Sequence, residues 1–170
     1  MFRRFENNPI ITPELSPTLG NNINGPSLIR VPSWIKNPLG RYYLYFGHHQ
    51  GNFIRLAYAD KLEGPWKIYE PGKLHIKNIQ DQSGFYGHIA SPDIHIDNAK
   101  QEIRMYFHSP HSALSYQASG ISSSKDGINF HLLNANPLGP FYFRVFRWRN
   151  AFYAIAKNKN ISGQILHSKD

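Results

Sequence analysis

The stretch Tyr86-Gly87-His88-Ile89-Ala90-Ser91-Pro92-Asp93-Ile94-His95-Ile96-Asp97 decides how the chain is read. Its polar, histidine-bearing lead-in turns through Ser91-Pro92 into a run that alternates apolar and polar residues, the pattern of a β-strand with one buried face. Relatives of this strand stand on both sides of it. Upstream, Asn24-Gly25-Pro26-Ser27 leads into Leu28-Ile29-Arg30-Val31 and a turn at Pro32-Ser33. Downstream, Phe143-Arg144-Val145-Phe146-Arg147-Trp148 precedes a turn at Arg149-Asn150.

Each relative is followed by the same order of parts. After the upstream one come the aromatic run Arg41-Tyr42-Tyr43-Leu44-Tyr45-Phe46-Gly47, then Phe53-Ile54-Arg55-Leu56-Ala57-Tyr58-Ala59, then a Glu63-Gly64-Pro65 turn into Trp66-Lys67-Ile68-Tyr69. Their β-branched and aromatic content and short length predict strands. The central stretch is followed by strands over 102–107, 120–124 and, past the Asp126-Gly127 turn, 128–132. The downstream one is followed by strands over 151–156 and 164–170. Asp60, Asp126 and Asp170 fall in one column, 66 and then 44 residues apart. Repeats of this size with four strands each predict β-propeller blades.

The expected fold is therefore all-β, a propeller of four-stranded blades with about two and a half blades present. An extended, Pro-bracketed arm (1–23) precedes blade one (24–70). A linker (71–85), blade two (86–133) and an incomplete blade three (138–170) follow. A propeller closes with at least four blades. The expectation is thus the N-terminal part of a longer protein, or a protomer completed by another chain.

Composition agrees with a packed β domain. The 170 residues are 41% hydrophobic and 14% aromatic, with twelve Pro and thirteen Gly, which argues against disorder. There is no cysteine, so disulfides and thiolate metal sites are excluded. Net charge is +8, but the basic residues are scattered, so a solvated basic surface is expected rather than a nucleic-acid footprint. The same charge suits an acidic ligand such as a sulfated or uronic polysaccharide. No stretch approaches membrane-spanning length and no apolar segment follows Met1; the sequence as it stands reads as cytoplasmic, and as periplasmic or secreted if residues precede Met1.

The runs Asn8-Pro9-Ile10-Ile11-Thr12-Pro13, Asn24-Gly25-Pro26-Ser27, Arg41 to Phe46, Ala57-Tyr58-Ala59 with Gly64-Pro65-Trp66, and Ala90-Ser91-Pro92-Asp93 together resemble the five-bladed β-propeller glycoside hydrolases of families 43, 32 and 117, in their N-terminal half. The resemblance implies a funnel lined by the first strand of each blade, in which two carboxyl groups hydrolyse a glycosidic bond. Such families place a general-base Asp before a Pro at the opening of blade one, where this chain has Asn24-Gly25-Pro26. They place another near the start of the third inner strand, where it has Leu138-Gly139-Pro140-Phe141-Tyr142. The resemblance puts the acidic proton donor, a Glu, beyond Asp170.

What remains for the funnel is Asp93 with several histidines. Asp93 is the carboxylate at an inner-strand start and is the candidate acid or base; bonding to neighbouring backbone amides is the structural alternative. His88, beside the repeated strand and titrating near neutral pH, is the second catalytic candidate. Asn24, His48, His49, Tyr86, His108 and Arg144 are candidates to hold a carbohydrate substrate. His48-His49 and His108 end the second strands of their blades at what reads as a matching column. Arg144, a charge inside an apolar strand, is placed to grip a carboxylate or sulfate, or to pair with Asp93. Phe85 and Tyr86 are expected to stack on sugar, while Tyr42, Tyr43, Tyr45, Trp66, Tyr106, Trp148 and Tyr153 are expected to pack the core. No cofactor is expected, although a structural calcium ion is compatible with the pattern. No phosphate-binding loop, nucleophile elbow or metalloprotease motif is present. The alternatives to hydrolysis are a non-catalytic carbohydrate-binding propeller, a fragment inactive on its own, and a protein-interaction platform.

Overall fold

The structure, a computed structural model, describes residues 3–169; Asp170, the last member of the aspartate column, lies outside the described residues. Alternating sequence becomes antiparallel sheet, with short helical turns at Pro13–Leu15, Ile76–Asn78 and Gln80–Ser83. The first sheet is β1 (Ile23–Arg30), β2 (Tyr42–His48), β3 (Phe53–Ala59) and β4 (Lys67–His75), paired in that order. The second is β5 (Ala90–Asp97), β6 (Glu102–Pro110), β7 (Gln117–Ser124) and the two-residue β8 (His131–Leu132), with β9 (Gly139–Pro140) also pairing β7. The third is β10 (Arg144–Trp148), β11 (Ala151–Asn158) and β12 (Ser162–Ser168). These are successive blades of an all-β, incomplete propeller.

A device repeated in the sequence joins the blades. A bulge interrupts the pairing of β1 with β2 between Asn24 and Ser27, and that of β5 with β6 between Ala90 and Asp93. Each bulge opens on a residue in the left-handed region followed by proline: Gly25 at φ 60° and Ser91 at φ 51°. Past the bulge, Ser27 pairs with Tyr45, Asp93 with Tyr106 and Arg144 with Ile155. Arg144 also has a left-handed residue two positions before it, Tyr142 at φ 62°. Ser27, Asp93 and Arg144 therefore occupy one column. In that column Ser27 Oγ accepts the Ile94 N–H at 3.0 Å, and Asp93 Oδ2 accepts the Val145 N–H at 2.8 Å. Each link satisfies a strand amide of the following blade, a group that is costly to bury unpaired. Arg144 has no acceptor to offer; its Nη1 reaches back to the Ser91, Pro92 and Phe143 carbonyl oxygens at 3.1–3.4 Å.

The main core lies between blades one and two. Tyr43, Tyr45, Ile54, Leu56, Phe85, Ile89, Ile103, Met105 and Phe107 are all buried within it, each apolar side chain of this size contributing roughly 1.5–3 kcal/mol. Tyr45 crosses the blade boundary and donates its hydroxyl to the Gly127 carbonyl at 2.7 Å.

Four local expectations change. Phe85 is fully buried against Phe107 and His111, ring centroids 5.3 and 5.0 Å away, so it cannot stack on sugar. Trp148 is 59% exposed, with the Arg149 guanidinium 6.0 Å from its ring centroid, so it does not pack the core. The expected strand over 128–132 shrinks to His131–Leu132, because the Asp126 carboxylate folds the segment into a turn, accepting the Ile128 and Asn129 N–H groups at 2.8 and 2.7 Å. β4 continues through Pro71-Gly72 to His75 by way of register shifts.

Candidate functional site

Antiparallel pairing brings the start of each first strand beside the end of each second strand. Asn24 pairs with Gly47, and Ala90 with His108. In blade three the same count along β11 from Ile155 leads to Lys157. One edge of the sheets thus gathers Asn24, His88, Ser91, His108, Tyr142, Arg144 and Lys157.

His108 is the centre of the group. It is 3% exposed, its Nδ1 is buried, and no described residue bonds that nitrogen. Its ring lies 4.3 Å from that of Tyr142, 6.0 Å from that of Phe141 and 6.3 Å from that of His88. Burial first, then the charges of His88, Arg144 and Lys157, push its pKa down to about 3, so it is a neutral imidazole at ordinary pH. Half-buried His88 bonds Gln117 Oε1 at 3.3 Å. Burial lowers its pKa as well; the Gln117 bond opposes that and His49 adds to it. Lys157, exposed, holds its ammonium 5.3 Å from the Tyr142 ring centroid and 5.6 Å from that of Phe141. Tyr142 itself is 40% exposed, so the cluster reaches solvent through this ring.

The other candidates sit around this group. Tyr86 is 51% exposed, and its N–H bonds the Pro110 carbonyl, two residues past His108. His49 is exposed and acts on His88 through its charge. Asn24 bonds Asn22 Oδ1 at 3.2 Å, and a Cβ at Gly47 would come within 3.3 Å of its own Oδ1 and 3.5 Å of the Ser91 nitrogen. Asp93 is engaged: besides Val145, its Oδ2 meets His95 Nε2 at 2.9 Å, with the carboxylate 15% exposed. Among the described residues no ion pair joins it to Arg144.

The matching of His48 with His108 is corrected by the register. The counterpart of His108 is Gly47, and His48 lies one residue further, on the opposite face of its strand. There its ring covers Gly20 of the arm, where a Cβ would come within 2.6 Å of Nε2. Burial, then Arg55 and His49, lower its pKa. Among the described residues no three His, Cys, Asp or Glu side chains converge as metal ligands would.

Sequence reasoning missed Lys157, Tyr142 and Gln117. For Lys157 the signal was available in the repeat, since it stands two residues past Ile155 as His108 stands two past Tyr106.

No protein-family model matches the chain. It is 38% identical over 160 residues to an uncharacterized protein of Acanthamoeba polyphaga mimivirus, an alignment covering 84% of this chain and 45% of that protein. Among solved structures, an exo-β-1,3-galactanase of Phanerochaete chrysosporium bound to β-1,3-galactotriose superposes with TM-score 0.61 at 15% identity, covering 88% of this chain and 36% of that one. A family 117 glycoside hydrolase of the marine bacterium Zobellia galactanivorans gives TM-score 0.58 at 18% identity, with 88% and 44% covered. An α-L-arabinofuranosidase of Clostridium thermocellum gives 0.50 at 17%, with 86% and 47% covered. The chain spans less than half the length of each of these proteins. At these identities the structural likeness defines the fold, and that fold is the β-propeller shared by these glycoside hydrolases.

Proposed function

We propose that the chain is the substrate-holding part of a carbohydrate-active propeller of glycoside hydrolase type, five-bladed when complete, with an oligosaccharide lying across the shared edge of β1, β5 and β10. The observation that carries this reading is the convergence of His88, His108 and Arg144 with Tyr142, Gln117 and Lys157 at that edge. Aromatic faces beside a few directed polar groups are what a sugar ring requires: apolar C–H faces stack, and hydroxyls bond. Exposed Tyr86 and Tyr142 supply the stacking faces. His88 with Gln117 supplies donor and acceptor.

Hydrolysis needs two carboxyl groups across the scissile bond. Asp93 is the one this edge offers, with His88 near it in the chain, so the reading assigns the second carboxyl to further blades. The engagement of Asp93 Oδ2 by Val145 and His95 favours a second reading, a propeller that binds carbohydrate without cleaving it.

The test is isothermal titration of the chain with neutral and acidic oligosaccharides, with chromatography of the mixtures for products. The expected result is binding without turnover, weakened about tenfold or more by Tyr142→Ala. A folded chain that binds no glycan in the panel would overturn both readings.

A further inference from the structure

The charged groups acting on His108 at this edge are all basic. Lys157 has two aromatic rings as its neighbours, and Arg144 Nη1 is turned to carbonyl oxygens. His108 feels His88, Arg144 and Lys157, and His88 feels His49; no carboxylate figures among the charges acting on either ring. Among the described residues the carboxylate of this neighbourhood is that of Asp93, occupied by a backbone amide and His95.

His108 adds an independent observation. A buried imidazole nitrogen without a partner is a cost that folded proteins rarely leave in place. A neutral imidazole offers one N–H donor and one acceptor, and here the ring packs near those of His88 and Tyr142, with the Lys157 ammonium over the Tyr142 ring. A flexible ammonium, an imidazole and a nearby guanidinium, with no anionic side chain paired to them among the described residues, form a donor set for an oxyanion. The Tyr142 ring beside them suits the sugar that bears it.

We infer that the edge of blades two and three recognises an acidic sugar, with Lys157 and His108 holding its carboxylate or sulfate while Tyr142 packs against the ring. The inference rests on the carbohydrate reading above and specifies its ligand. Carboxylate and sulfate ester share the required chemistry, a full negative charge spread over two or three acceptor oxygens, and experiment separates them.

The chain is titrated with neutral galactotriose, the same trisaccharide sulfated, a galacturonate trisaccharide, inorganic sulfate alone, and a single-stranded oligonucleotide of equal charge. Imidazole signals of His88 and His108 are followed by NMR. The acidic trisaccharides are expected to bind roughly tenfold or more tightly than the neutral one, and whichever binds tighter names the substituent. Lys157→Met, a change at an exposed side chain, is expected to bring their affinity to that of the neutral sugar, and Lys157→Arg to restore most of it. Equal affinity for neutral and acidic sugars, unmoved by Lys157→Met, would overturn this inference and leave the carbohydrate reading intact. Sulfate moving the His108 signals while no sugar binds would support the oxyanion site and remove the carbohydrate reading. Silence from every probe overturns both, and an oligonucleotide that binds as tightly as the acidic sugars overturns the assignment to sugar.

Discussion

His108 shows how one residue couples site and stability. Its pKa is about 3 in the fold against about 6.5 in an unfolded chain. As pH falls below about 6.5 the unfolded state takes up a proton that the folded state refuses, so stability is lost progressively between about pH 6.5 and 3. The expected slope from this group is roughly 1 kcal/mol per pH unit. Urea titrations at pH 7.5 and 5 should therefore show a larger fall for the native chain than for His108→Leu, which cannot take up the proton; equal falls would remove His108 as the cause. His48 and His88 are shifted in the same direction and add to the loss as pH falls below about 6.5. Asp93 makes a complementary case. Asp93→Ala deletes the acceptor for Val145 N–H and should cost about 1–3 kcal/mol, whereas Asp93→Asn keeps an acceptor oxygen and should cost less; thermal melts of the two variants distinguish them.

At the level of elements, the bulge before each first strand holds the blades in register. Gly25 lies at φ 60°, and a Cβ there would come within 3.0 Å of the Ser91 backbone Cα. Gly25→Ala meets both strain and backbone, and is expected to cost about 1–3 kcal/mol, read as a lower melting temperature. Most strands were legible in the sequence because alternation and aromatic content persist through β1 to β3, β5 to β7 and β10 to β12. The column joining Asn24 with Ala90 and Gly47 with His108 was not, since each bulge hides one residue of offset, and a one-residue offset moves a side chain to the other face. The shortened β8 was illegible for another reason. Asp126 binds four groups of its own turn, the Ile128 and Asn129 amides, the Ser124 hydroxyl and the Asn129 side chain, and such side-chain bonds compete with ladder pairing.

At the level of the molecule, stability is unevenly distributed. Blades one and two share the large core, while the buried apolar cluster of blade three is Phe143, Ala154 and Ala156. The far face of that blade carries Phe146, Trp148, Ile155 and Ile165 at 42%, 59%, 51% and 73% exposure. A cavity of about 320 Å³ between it and blade two is lined by Tyr106, Phe143, Val145, Phe152 and Leu166, among others. Low local burial predicts easy local opening, so amides of β11 and β12 should exchange with deuterium well before those of β2, β3, β6 and β7. Uniform exchange across the three sheets would contradict this. The site edge runs from the stable pair of blades onto the weaker one, so a ligand bridging His88 and Lys157 should slow exchange in β11 by adding contacts that only the closed arrangement provides.

The central claim is that the common edge of β1, β5 and β10 is a carbohydrate site, and histidine-ring NMR tests it with internal controls. His75 and His131 lie on β4 and β8, the strands of their sheets farthest from β1 and β5, bonded to the Pro71 carbonyl and to Ser123 Oγ. Addition of a bound oligosaccharide should move the ring signals of His88 and His108 and leave those of His75 and His131 in place. Movement of the control pair alone, or of none of the four at saturating ligand, would contradict the account.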